Sequence, residues 1–314
     1  MISRRNLLKT GTALAAAASW PLGSRPIYAA VQGAYTFKLG AFEITVISDG
    51  FATLPISFVL GASDPKDIAA LFASGGLAPA TEGIVAPINV TLVKTPDALI
   101  LIDAGGGGDF MPTMGKFSDA LEAAGYKPEA VTHVIFTHAH ADHLWGVIDP
   151  LDGGTRYPNA RHCMTAAEFD YWTAPDRDKS VPEMLVKMAV GSARRLAVLA
   201  DRLDKPKSGT EIVPGVMLLG TPGHTPGHVS VMLKSESDQL LIGADVLTHP
   251  LVSFAKPDWR WGSDMDADLA IATRKRTLDM LATEKIALLG YHLPWPGLGR
   301  VESAGTAFRF IARS

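Results

Sequence analysis

The chain has 314 residues, 47% of them hydrophobic and 19% charged, which excludes an intrinsically disordered polymer. A formal charge of −3 argues against a nucleic-acid binder, and the lone cysteine, Cys163, excludes an intrachain disulfide and any cysteine-built zinc cluster. The 30 glycines and 21 prolines follow no period, so a fibre is excluded as well.

Residues 1–29 read as an address. Arg4, Arg5 and Lys9 precede a short alanine-rich apolar run from Thr12 to Trp20, and Ala29 offers a processing site. The run is shorter than the ~20 residues of a membrane span. Arg4-Arg5-Asn6-Leu7-Leu8-Lys9 resembles a twin-arginine export signal with Leu7 in place of the usual phenylalanine. Such a leader implies the twin-arginine machinery as a partner and a periplasmic or secreted product. Its removal takes away four bases and no acid, moving the formal charge from −3 to −7. The rest, 30–314, shows no linker and no repeat and reads as one domain without stable membrane insertion.

Strands are expected at Tyr35–Lys38, Phe42–Ser48, Ile88–Val93 and Leu99–Asp103, where β-branched and aromatic residues are bounded by turn residues. A short helix over Ser118–Ala124 stops at Gly125. A strand over Val131–Phe136 runs into a histidine cluster. Helices follow over Ala166–Trp172 and Pro182–Ala200; in the second, Leu185, Met188, Ala189, Ala193 and Leu196 recur at helical spacing and read as core. Val216–Leu219, Val229–Leu233 and Leu240–Ile242 are strands again. Ala267–Leu281 is a helix, Ile286–Leu289 a strand and Ala307–Ile311 a closing element. Strands cluster within each half instead of alternating one-for-one with helices, which predicts two packed sheets with helices outside.

Four of these strands run into residues that ligate metals. Thr137-His138-Ala139-His140-Ala141-Asp142-His143 follows the first. In extended chain His138 and His140 point the same way and can share a cation, while Asp142 and His143, beyond a turn, face a second position. Gly220-Thr221-Pro222-Gly223-His224 holds a histidine in a stiff turn, where it would complete three nitrogens around the first cation and leave an open position. Leu240–Ile242 leads to Asp245, a carboxylate suited to bridging two cations. His292 follows Ile286–Leu289.

In this order, His138-Ala139-His140-Ala141-Asp142-His143, His224, Asp245 and His292 resemble the metallo-β-lactamase superfamily of binuclear hydrolases over essentially all of 30–314. The resemblance implies an α+β fold, a four-layer αβ/βα sandwich of two mixed sheets flanked by helices. It implies that His138, His140 and His224 hold one cation, that Asp142, His143 and His292 hold the other, and that Asp245 bridges them. Flavodiiron relatives carry a glutamate where His140 stands, and the commonest zinc β-lactamases a cysteine where Asp245 stands, so both branches are disfavoured. Phe42–Gly50 is similar to lactonases and organophosphate hydrolases, and Tyr291-His292-Leu293-Pro294-Trp295-Pro296-Gly297 most resembles the methyl parathion hydrolase branch.

Two divalent cations, zinc first and Mn, Co or Fe also compatible with these ligands, would share a water and lower its pKa towards about 7. The expected reaction is attack of that bridging hydroxide on an ester-type bond, an aryl phosphotriester or a lactone, of a small hydrophobic substrate. Asp245 and Asp142 are the candidate catalytic carboxylates. The rival readings are an N-acyl-homoserine lactonase, then a β-lactamase or thioesterase, and outside enzymes a silent binding protein on the same fold. A missing Gly-x-Ser-x-Gly elbow removes a serine hydrolase. Asp103 and His228 are candidates for a supporting shell around the ligands. Phe110, Phe117, Trp172, Phe254, Trp259, Trp261, Leu293 and Trp295 are candidates for the substrate wall. Gly105–Gly108 reads as a flexible loop beside the site. A homodimer is expected from the resembled branch.

Overall fold

The computed structural model describes residues 33–77 and 83–313. The leader expected over 1–29 lies outside them.

Among the described residues, fourteen strands form two sheets of seven. The first holds β1 (Ala34–Leu39), β2 (Phe42–Leu54), β3 (Ile84–Lys94), β4 (Leu99–Ile102), β5 (His133–Ile135), β6 (Arg161–Cys163) and β7 (Leu203–Asp204), side by side in chain order. The second holds β8 (Glu211–Val213), β9 (Val216–Gly220), β10 (Val229–Ser235), β11 (Asp238–Ile242), β12 (Ala287–Leu289), β13 (Leu298–Ala304) and β14 (Ala307–Ala312). Both are mixed: β1 to β4 are antiparallel and β4 to β7 parallel, and in the second sheet only the β11–β12 pair is parallel.

The two-residue period of the strands sorts their side chains into layers. In β4, Ile100 and Ile102 face the second sheet, joining Ile44, Val46, Val216, Leu218, Val231, Leu233, Leu240 and Ile242 in the inter-sheet core. Leu101, between them, points the other way and packs with Val134, Met188, Leu196 and Trp172 under the helices Ala166–Thr173 and Glu183–Leu199. On the outer face of the second sheet, Leu241 and Leu288 meet Leu278 and Leu281 of the helix Ala267–Glu284. The layers run helix, sheet, sheet, helix, as expected. At about 25 cal/mol per Å² of buried apolar surface, such a core is the main stabilising force. It leaves the loops at one edge free to carry polar groups.

The structure adds elements that the sequence hid. β2 continues through Asp49-Gly50 to Leu54 because a register shift between Ser48 and Gly50 keeps it paired with β3 across the turn-type residues. A helix over Pro65–Ser74, capped by Asp64, packs Leu71 and Phe72 against Trp261.

Candidate metal centre

The ligand-type residues sit where strands end. β4 stops at Ile102 and the next residue, Asp103, adopts a left-handed backbone (φ 60), which a short polar side chain tolerates. β5 stops at Ile135, and His138 to His143 follow in an extended segment that turns into a one-turn helix, Ala141–Leu144. β11 stops at Ile242, so Asp245 stands not on the strand end but in a short turn, Ala244–Val246. Ala244 there is held left-handed (φ 47), a conformation that costs a non-glycine residue about 1–3 kcal/mol.

All seven expected ligands converge. Two clusters form, one of His138, His140, His224 and Asp245 and one of Asp142, His143 and His292, with the ligand atoms in each within 4.8 Å of one another. Asp245 lies between them and divides its oxygens. Its Oδ2 is 3.2 Å from His224 Nε2 and 4.0 Å from His138 Nε2. Its Oδ1 is 3.1 Å from His143 Nε2 and 3.3 Å from His292 Nε2. Asp142 Oδ2 lies 3.4 Å from His292 Nε2 and 3.7 Å from His143 Nε2.

Partners on the far side of each ring fix which nitrogen faces inward. His292 Nδ1 is 2.8 Å from the carbonyl of Pro87, which only accepts, so Nδ1 donates and Nε2 turns a lone pair to the centre. His143 Nδ1 donates in the same way to Asp103 Oδ2 (2.8 Å), and His224 Nδ1 to Asp264 Oδ1 (3.0 Å). Asp103 is itself held by the amide and hydroxyl of Thr137, both at 2.8 Å. Asp264 is held by Arg274 Nη2 at 2.7 Å, and both side chains are buried. His228 supports Asp245 from behind: its Nε2 accepts the Asp245 amide at 3.1 Å. Burial holds the His228 pKa down to about 3, so it stays neutral and able to accept.

Lone pairs therefore point at lone pairs. The buried atoms His138 Nε2, His143 Nε2 and Asp245 Oδ1 make no well-aligned hydrogen bond, and His140 meets the cluster through Nδ1, 2.9 Å from His224 Nε2. Buried polar atoms without partners are rare, and a cluster of them facing one another calls for positive charge between them. The titration preferences agree. Burial pulls His143 down, yet Asp245, Asp142 and Asp103 together carry it well above its usual range. Against the same desolvation, Asp245 carries His224 up to about 9. Burial drives His138 and His140 well below 6.5. Left to protons, the cluster takes them up unevenly; divalent cations would satisfy every donor and displace those protons. Imidazole and carboxylate ligands without thiolate fit Zn, Mn, Co or Fe.

A cavity opens onto His140, Asp142, Asp245 and His292. Its walls are Ala52, Leu54, Phe58, Ala86, Phe110, Leu185, Met188 and Trp261, with Thr248 and Ser263 adding hydroxyls. Of the aromatic wall candidates, Phe110 and Trp261 are here; the others are elsewhere. Phe117 is buried in the core under the first sheet. Phe254 and Leu293 are buried beneath the helix Ala267–Glu284, Phe254 against Phe310 at 5.5 Å. Trp295 packs against the inter-sheet core and Trp259 against the Val59–Leu71 cluster. Trp172 is fully buried, its indole N–H given to Glu168 Oε1 at 2.6 Å. Leu185 and Met188, expected only as core, reach the cavity from their helix. Gly105–Gly108 is no free loop: the Gly106 amide binds Asp49 Oδ2 at 2.8 Å, and Gly107–Phe110 coils into a turn that presents Phe110. Asp264, Arg274 and Glu168 carry no signal in the sequence, because their partners belong to other loops and strands that only the fold brings to them.

Comparison with known proteins agrees with this geometry. A family model described as the metallo-beta-lactamase superfamily matches residues 83–289. An N-acyl homoserine lactonase of Bacillus cereus is 25% identical over 230 residues, covering 66% of this chain and 82% of that protein. Among solved structures, AidC, a dizinc quorum-quenching lactonase in complex with a product, superposes with a TM-score of 0.84 at 29% identity, over 90% of this chain and 98% of that one. AbOPH, a hydrolase in the beta lactamase superfamily, superposes at 0.83 and 27% identity with the same coverage.

Proposed function

We propose, from the premise that this chain belongs to the metallo-beta-lactamase superfamily, that it is a binuclear metal-dependent hydrolase opening an ester-type bond in a small hydrophobic molecule, a lactone first and an aryl phosphotriester second. The observation that carries the reading is the Asp245 carboxylate, whose two oxygens each face a different imidazole cluster. His138, His140 and His224 would hold one cation and Asp142, His143 and His292 the other, with Asp245 shared. Two divalent cations so held supply Lewis acidity and a water of lowered pKa.

The protein's own groups do the rest. Asp245 and Asp142, carboxylates that line the cavity, would orient the attacking water. Phe110, Met188, Leu185 and Trp261 take the apolar part of the substrate and keep bulk solvent from the reacting bond. The lactone reading draws on the relatives described as lactonases. The Arg4-Arg5 leader supports export through the twin-arginine machinery to the periplasm or beyond, and the resembled branch supports a homodimer.

The test is a substrate panel on metal-analysed protein: a long-chain acyl homoserine lactone and methyl paraoxon, each with and without chelator. Chelator-sensitive turnover of the lactone supports the reading. Preference for the phosphotriester moves the substrate class, and turnover that survives chelation overturns the metal dependence.

A further inference from the structure

Glu168 lies in the first turn of the helix Ala166–Thr173 and is fully buried, outside both ligand clusters. Its carboxylate accepts four hydrogen bonds. Oε1 takes the amide of Ala139 at 2.9 Å and the indole N–H of Trp172 at 2.6 Å. Oε2 takes the hydroxyl of Thr225 at 2.7 Å and the amide of Gly227 at 2.9 Å. Ala139 is the residue between His138 and His140, and Thr225 directly follows His224. One side chain therefore ties together the two segments, 84 or more residues apart, that carry the three imidazoles of one cluster. None of these four hydrogen bonds reaches a residue of the Asp142–His143–His292 cluster.

Two further features tighten this junction. Gly227 lies so close that a Cβ there would collide with the backbone nitrogen of Glu168. Thr165, the cap of the same helix, donates its hydroxyl to the Gly227 carbonyl at 2.7 Å. The Trp172 ring, fixed by Glu168, stands edge-on to His140 with centroids 5.6 Å apart.

We propose that Glu168 is a positioning residue that sets the cation affinity of the His138–His140–His224 cluster and leaves that of the Asp142–His143–His292 cluster unchanged. This rests on the binuclear reading above. The chemistry requires a carboxylate. Two amides and an indole can only donate, so an acceptor is needed on both oxygens. A glutamine of the same shape must turn its NH2 towards at least one group that can only donate: Ala139 and Trp172 in one orientation, Gly227 in the other, where only the Thr225 hydroxyl can rotate to accept. The two segments then part, and the imidazole nitrogens lose their shared focus. Groups that orient ligands in this way typically alter metal affinity by about 10–100-fold when replaced.

The experiment compares wild type with Glu168→Gln by zinc titration against a competing chelator, metal analysis after dialysis, and cobalt(II) absorption. Thermal denaturation of the metal-free proteins reports the structural cost separately. The expected result is two cations in wild type and one in the variant at the same free zinc, with one affinity lowered about 10–100-fold and the other within twofold. The cobalt spectrum of the variant should match a half-loaded centre. Trp172→Phe and Thr225→Val, each removing one donor, should give smaller losses at the same cation, and they decide the matter should Glu168→Gln fail to fold. Unchanged affinities, or parallel losses at both cations, overturn the assignment. Wild type binding fewer than two cations overturns the binuclear reading itself, and the assignment with it.

Discussion

Replacing Arg274 by methionine probes the support behind His224. The guanidinium is buried on the helix Ala267–Glu284 and binds Asp264 Oδ2 at 2.7 Å. Its Nη1 donates to the carbonyls of Pro257 and Trp259 at 3.1 and 3.0 Å. One residue thus pins the whole 257–264 segment, which carries Trp261 and Ser263 to the cavity and Asp264 to His224 Nδ1. Removing one partner of a buried ion pair leaves the other charged and desolvated, at about 3–5 kcal/mol. That is a large part of the roughly 5–15 kcal/mol that stabilises a domain. Urea unfolding of metal-free protein, followed by far-ultraviolet circular dichroism, measures it without linkage to cation binding. Arg274→Met should lose about 3–5 kcal/mol. The double variant Arg274→Met/Asp264→Leu should regain part of it, since the carboxylate stranded without its guanidinium is then gone; the recovery stays incomplete because His224 Nδ1 loses its acceptor. A loss under about 1 kcal/mol, or a double variant less stable than the single one, would refute the reasoning.

Other outcomes follow from single environments. His249 is buried, its Nδ1 accepting the amides of Leu251 and Val252, and burial lowers its pKa to about 4. Unfolded chains take up that proton near 6.5, so folding stability falls as pH drops from 6.5 towards 4, by up to about 1.4 kcal/mol per pH unit. His249→Asn, which keeps an acceptor and does not titrate, should show a shallower fall in denaturation against pH; an identical profile contradicts the assignment. Phe110→Ala should raise KM for a long-chain lactone about tenfold, the scale of an aromatic side chain's apolar contact, with little change in kcat. An unchanged KM removes Phe110 from the substrate wall. Burial raises the Cys163 thiol to about 11, so native protein should resist iodoacetamide at pH 8 while urea-unfolded protein reacts; rapid native labelling would show an open thiol.

The ligand positions were legible because strand periodicity and short spacing act locally. His138, His140 and His143 announce themselves within six residues, and Ile100 and Ile102 alternate with Leu101 as any half-buried strand does. What stayed hidden depends on partners in other elements of the fold. Thr165-Ala166-Ala167-Glu168 reads as an ordinary helix-capping pattern, which would place the glutamate at a solvated helix start. Only the approach of Gly227 and Ala139 turns it inward. Arg274, on a helix rich in charge, looks like any surface arginine until Asp264 meets it. The aromatic wall was misjudged for a related reason: Phe254 and Leu293 neighbour ligands in sequence, but their side chains fill the core beneath those ligands. Leu185 and Met188 satisfy helical spacing and line the cavity as well, a double use that periodicity cannot reveal.

The most direct measurement is the metal content and zinc affinity of purified protein beside its Asp245→Ala variant. Wild type should hold two cations per chain, and the variant should bind both more weakly and lose hydrolysis alongside. A variant that keeps both cations and full turnover would show that Asp245 does not join the two clusters, and the binuclear centre as described here would be wrong.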